Sequence, residues 1–153
     1  MNKKNKSIWK IRIKGKTSGV FEKISSSINI DKRLYKEDID ASIAHVEMLS
    51  RQKIINFKIK NKIIWGLKKI YNQIVKKQYV FDYKDEDIHM SIEKKLFDLI
   101  GEDAGYIHTA RSRNDQVLVD FKIWMRNSNN KMIKMLNQTI NNIIKIAEKN
   151  IYT

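Results

Sequence analysis

Two short segments of this sequence concentrate side chains that can do chemistry. The first is Asp85-Glu86-Asp87-Ile88-His89-Met90, three carboxylates followed by an imidazole. The second is His108-Thr109-Ala110-Arg111-Ser112-Arg113-Asn114-Asp115-Gln116, in which eight of nine side chains are polar. Ser112-Arg113-Asn114-Asp115 has the Ser-x-x-acid form of a capping box, which predicts a helix starting at Arg113 or Asn114. The unpaired N–H groups and the positive dipole end of such a start attract carboxylates and phosphates. Arg113 can add a bidentate clamp on an anion, and Asn114 can both donate and accept. A capped helix start with solvated charges would read the same way, and these residues alone leave the two readings level.

The elements that must position these segments are helical. Ile39, Ile43, Val46 and Leu49 recur at helical spacing between Lys36 and Gln52, with acids in the first turn and Arg51 in the last. A second helix, from about Lys58 to Lys77, carries Ile63, Leu67, Ile70 and Ile74 on one face. Gly66 inside it costs roughly 1 kcal/mol relative to Ala, which points to a close contact there. A third helix from Asp87 turns Ile88, Ile92, Leu96 and Ile100 inward and stops at Gly101. Gly101 to Ser112 then reads as a loop. Beyond it no breaker appears, and Leu118, Phe121, Met125, Met132, Leu136, Ile140, Ile143 and Ala147 follow steps of three, four and seven. A helix of some 35 residues is about 50 Å long, and its near-heptad stripe requires partner helices, here expected from other chains. Upstream, Trp9, Ile11 and Ile13 alternate with Lys10, Arg12 and Lys14, the pattern of a short strand or extended arm.

Composition narrows the function classes. The 153 residues contain no cysteine, which removes disulfides, thiolate metal sites and a cysteine nucleophile. There is no proline, where about 5% is usual. Ile, Lys and Asn supply 65 of the residues, a bias compatible with AT-rich codons. The formal net charge of +14 invites a nucleic-acid reading. Its excess is nearly all Lys, 25 against 6 Arg, and acidic stretches interrupt it, which argues for a solvated surface and against nucleic acid as a partner. No stretch approaches the roughly 18 apolar residues of a membrane span. Ile8-Trp9 is followed at once by Lys10, so no signal-peptide core is present, and the cytoplasm is the expected location.

Thr109-Ala110-Arg111-Ser112-Arg113-Asn114-Asp115-Gln116 resembles the Thr-Gly-Arg-Ser-Arg-Asn-Asp-Gln signature of argininosuccinate lyase, in the aspartase/fumarase superfamily. The likeness extends to Asp85-Glu86-Asp87-Ile88-His89, to Leu99-Ile100-Gly101 with His108, to Ser27-Ile28 with Asp31, Leu34 and Tyr35, and to Trp9 with Arg12. It therefore runs along nearly the whole chain in order.

The resemblance implies an all-α fold: an N-terminal helical domain over 1–112 with an extended N-terminal arm, leading into the first long helix of a central bundle over 113–153. It implies reversible β-elimination of argininosuccinate to arginine and fumarate, in arginine biosynthesis, without metal or organic cofactor. Such chemistry removes a proton beside a carboxylate and must spread the resulting charge onto that carboxylate. By matching position, Ser27 and Asn114 are expected to bind substrate and Arg113 to meet a carboxylate. Asp87, His89, Thr109, Ser112 and Asp31 are expected to contact substrate or support those that do.

The sequence also departs from the family. Ala110 replaces the signature glycine, and Lys10-Ile11-Arg12-Ile13 and Ile24-Ser25-Ser26-Ser27 replace Gly-Gly-Arg-Phe and Phe-Asn-Ala-Ser. The family's Gly-Tyr-Thr-His segment, which carries the general-base region, and its mobile serine loop do not occur within these residues. The family's active sites are assembled from three subunits of a homotetramer. This chain is thus expected to supply binding residues, no catalytic base and no turnover by itself. The alternative is a non-catalytic helical remnant or subunit-interaction protein from a shortened lyase gene.

Overall fold

The computed structural model describes residues 24–152; the alternating segment 7–14, with Trp9 and Arg12, lies outside them. A single turn, α1 (Ile28–Asp31), passes through a 3-10 turn (Lys32–Leu34) into α2 (Tyr35–Arg51). Helices α3 (Phe57–Val75) and α4 (Ile88–Ile100) follow, then a 3-10 segment (Gly101–His108) and the long α5 (Arg113–Lys149). No strand occurs among the described residues, and the fold class is all-α.

The starts of α3, α4 and α5 are capped by the side chains that the sequence offers. Asn56 Oδ1 accepts from the Ile59 N–H at 2.8 Å and Asp87 Oδ1 from the Met90 N–H at 2.7 Å. Ser112 and Asp115 form the reciprocal capping box at the head of α5. Two helix ends use an uncommon residue. After α2, Lys53 donates to Ser50 and Ile54 to Leu49; after α3, Lys77 donates to Ile74 and Gln78 to Gln73. Both are Schellman motifs, and both place lysine, at φ 60° and 56°, where glycine is usual.

α2 packs on α3 and α3 on α4, while the 3-10 segment covers α4 and the head of α5 rests on α2. The core they enclose contains Ile39, Val46, Leu49, Ile63, Leu67, Ile70, Ile88, Ile92, Leu96 and Ile100. Ile43 and Ile74, expected on the same faces, lie at its margin, only partly buried. Gly66 is explained by packing: a Cβ there would fall 2.5 Å from Leu96 Cδ1 and 3.3 Å from Ile100 Cγ2. The missing side chain lets α3 and α4 close on each other.

The stretch expected as a loop after Gly101 is mostly 3-10 helix. Gly101, at φ 73°, ends α4 and turns the chain. Ala104 and Ile107 then fall one above the other at three residues per turn, and both are buried. α5 is 37 residues long, about 55 Å. Only Gln116 and Asp120 of it are buried, and from Phe121 onward nearly every residue is exposed. Leu118, Phe121, Met125, Met132, Leu136, Ile140 and Ile143 are all more than two fifths exposed. The stripe is present as expected, uncovered in this chain.

Candidate functional site

The acidic segment and the polar loop meet at the starts of α4 and α5. Asp87 is the cap of α4: its backbone is extended, its Oδ1 accepts from the Met90 N–H, and its Oδ2 is left for Arg113. Asp31 reaches the same place from α1, its Oδ1 accepting from the Ile88 N–H at 3.1 Å. Ser27 completes this corner: its Oγ donates to Asp31 Oδ2 at 2.5 Å, and its N–H donates to the Glu86 carbonyl at 2.7 Å. Burial and the nearby Asp87 charge push the Asp31 carboxyl above its ordinary value, against the Ser27 hydroxyl.

Arg113 joins the two segments. Its Nε lies 3.2 Å from Asp87 Oδ2, and its Nη1 donates to Glu93 Oε1 at 2.9 Å and Gln116 Oε1 at 2.8 Å. His108 Nε2 contacts the same Glu93 oxygen at 2.6 Å. Burial opposes ionisation of Glu93, but His108 and Arg113 outweigh it and hold the carboxyl below its usual range. A substrate carboxylate at Arg113 would therefore compete with two carboxylates already in place.

The signature loop is tied to α2 by two bonds. His45 Nε2 donates to the Thr109 carbonyl at 2.9 Å, and Arg111 Nη1 donates to Ser42 Oγ at 3.0 Å. Between those ties Ala110 adopts φ 55°, the left-handed region that its glycine counterpart would enter without strain. Ser112 is spent on the cap, accepting from the Asp115 N–H at 3.2 Å and donating to its carboxylate at 2.8 Å. The Ser112 N–H, donating to the same carboxylate at 2.9 Å, and then the Ser112 hydroxyl hold the exposed Asp115 carboxyl below its ordinary value. Asn114 differs from its neighbours. Its side chain is exposed and makes no hydrogen bond to the described residues.

His89 lies deeper, with its Nδ1 2.9 Å from Asp38 Oδ1 and 3.5 Å from Asp120 Oδ2. These three offer donor atoms within 4.8 Å of one another, of types that a divalent cation accepts. The Nδ1–H bond to Asp38, however, uses the proton that a metal would displace. A separate cavity of about 400 Å³, lined by Gln73, Tyr79, Ser91 and Lys94 among others, includes none of the eight candidate residues.

The structure thus brings Ser27, Asp31, Asp87 and Arg113 together at the start of α4, Ser27 bonded to Asp31 and Arg113 paired with Asp87. It places His89 beneath them, and Thr109, Ser112 and Asn114 along the loop and first turn of α5. Asp38, Glu93, His108 and Asp120 take part without having been singled out as site residues. Asp120 had a signal: with Arg113 and Gln116 it makes an i, i+3, i+7 polar row on a helix whose other face is apolar. Glu93 and Asp38 had none, being charged residues on amphipathic helices.

A family model described as lyase matches residues 11–153. Among curated relatives, the argininosuccinate lyase of Pelagibacter ubique (strain HTCC1062) is 59% identical over 152 residues, 99% of this chain and 33% of that protein. Those of Ehrlichia chaffeensis and Campylobacter jejuni (strain RM1221) are 48% and 42% identical over 94% and 92% of this chain. The chain spans about a third of the length of these relatives. On that match, which runs through Ser27, Asp87 and Arg113, the chain belongs to the lyase family whose relatives here are argininosuccinate lyases.

Proposed function

We infer that this chain supplies one part of an argininosuccinate lyase, the enzyme that cleaves argininosuccinate reversibly into arginine and fumarate in arginine biosynthesis. The observation that carries the reading is the open Asn114 amide on the capped first turn of α5, beside the group of Ser27, Asp31, Asp87 and Arg113. Substrate carboxylates are bound by Asn114, by Ser27 and by the N–H groups of the helix start. Asp31 and Asp87 fix the α4 corner on which Ser27 sits. Thr109 and Ser112 shape the loop, and Arg113 balances the local carboxylates as the substrate arrives.

Residues 1–112 belong to an N-terminal domain, helical over its described part, and 113–153 begin a central bundle; α5 supports this reading by resting its first two turns on α2 and burying nothing beyond Asp120. The bundle is that of a cytoplasmic homotetramer, and the exposed stripe of α5 is the face its partner helices cover. No helix among the described residues is long and apolar enough to cross a membrane. Proton abstraction belongs to residues outside this chain, so by itself it has no turnover.

A chimera tests this: the chain replaces the matching segment of the Pelagibacter ubique enzyme, and fumarate release is followed by ultraviolet absorbance. Activity in the chimera and none in the chain alone is expected. A soluble, assembled chimera that releases no fumarate would favour the second reading, a non-catalytic helical subunit, to which the left-handed Ala110 gives its support.

A further inference from the structure

His89 is 2% exposed in the first turn of α4, and two carboxyls reach its Nδ1 from different helices. Asp38 comes from α2 and Asp120 from the second turn of α5, each at most 1% exposed. Neither oxygen of Asp120 has a hydrogen-bond donor within range among the described residues. An ionised carboxylate left that way in the interior costs several kcal/mol unless a positive group faces it. The imidazole is that group, 3.5 Å away.

We propose that Asp120 is a positioning residue. Together with Asp38 it fixes the His89 ring, with Nδ1–H bonded to Asp38 and Asp120 beside it, leaving Nε2 as the nitrogen whose proton can come and go, and its negative charge favours that proton. Gaining the proton at Nε2 makes the imidazolium; releasing it returns a lone pair to Nε2 while Nδ1–H stays.

The surroundings agree in sign. His89 faces Asp31 at the end of α1, Asp38 on α2, Asp87 at the cap of α4 and Asp120 on α5. Glu37 also acts on Asp120, and Arg111 and Arg113 are the nearby cations. Burial opposes charge on His89, but the Asp38 bond and the charges of Asp38, Asp87 and Asp120 outweigh it and raise the imidazole above its usual value. Asp120, pushed up to about 7 by burial and by Asp38, takes a proton of its own below that pH and then loosens its hold. The long helix thereby acts on a residue of the site through a single carboxyl.

The role rests on His89 belonging to the substrate site, but its test does not use activity. Long-range proton–nitrogen spectra of the ¹⁵N-labelled chain follow both ring nitrogens, with assignments from His45→Gln, His89→Gln and His108→Gln. His89 Nδ1 should stay protonated from about pH 5 to 9 while Nε2 titrates above the ordinary imidazole value. Asp120→Asn should lower that midpoint by roughly 1 unit, and Asp120→Glu should restore part of it. A His89 carrying its neutral proton on Nε2 in the unaltered chain would overturn the proposal even if Asp120→Asn fails to fold. So would an unmoved midpoint in a folded Asp120→Asn. Either result would leave the elimination chemistry to stand or fall on the chimera.

Discussion

Replacing Ala110 by glycine should stabilise this chain, against the usual direction of alanine-to-glycine changes. At φ 55° the alanine Cβ crowds the following carbonyl, at a cost of about 1–2 kcal/mol. Ala110 is exposed, so no buried methyl contact offsets that cost. Glycine gains the relief but has more freedom to lose on folding, about 0.4–1 kcal/mol. The midpoints of those ranges, about 1.5 and about 0.7 kcal/mol, leave a net gain of about 0.5–1 kcal/mol. For a chain of this size that raises Tm by roughly 1–4 °C. Thermal melts followed by far-ultraviolet circular dichroism, with urea midpoints as a second measure, read the change. Ala110→Val is the control and should fall, because a β-branched side chain tolerates this conformation least. An Ala110→Gly protein that melts lower than the parent would refute the reasoning, since the left-handed backbone could not then be a source of strain.

Gly66→Ala should lose about 1 kcal/mol despite its better helix propensity, because overpacking against Leu96 and Ile100 outweighs the gain; urea midpoints check this. Ser112→Ala removes the capping box and should cost about 1 kcal/mol by the same melts. Asn114→Ala should leave the melt unchanged while lowering fumarate release in the chimera; a destabilised fold would assign Asn114 to helix capping instead. Asp120 titrates at about 7 in the folded chain against 3.8 in the unfolded one. The folded state binds the extra proton between those values, so this group contributes stability below them that is lost as pH rises through about 7. Melting temperature should therefore fall as pH rises from about 4 to about 7, a slope that Asp120→Asn should flatten, and the raised His89 acts in the same direction above its ordinary value of 6.5.

Helix faces were legible because burial follows periodicity: Ile63, Leu67 and Ile70, and Ile88 through Ile100, are core at the spacing their sequence shows. Caps were legible because Asp87 and Ser112 are short polar residues immediately before apolar runs. Gly66 marked a close contact because nothing else favours glycine inside a helix. The 3-10 segment was not legible, since only Ala104 and Ile107 mark its period. Nor was the Glu93 link between His108 and Arg113: a pairing across 15 to 20 residues depends on how α4 and the turn after it are oriented. The octamer's likeness pointed to this loop, but its glycine-to-alanine change acquired a physical meaning only with the backbone angle. Nor were the two left-handed helix ends legible, since lysine stands there in place of the glycine that usually marks such an end.

The uncovered length of α5 has a consequence for how this chain responds to salt. Residues 121–149 carry six asparagines, five lysines and an arginine, and one acid, Glu148. Asparagine is a weak helix former, and like charges spaced along an exposed helix repel one another and any second copy brought alongside. The apolar stripe pulls copies together while the cations push them apart. Adding salt shortens the range of the repulsion to about 8–10 Å at physiological strength and leaves the apolar attraction intact. Helix content and mass in solution should therefore rise together with ionic strength and with protein concentration. A polycation held to nucleic acid would behave in the opposite way, being released as salt is raised. The same positive charge that keeps single chains apart in dilute buffer thus makes ordering of the long helix a matter of mass action.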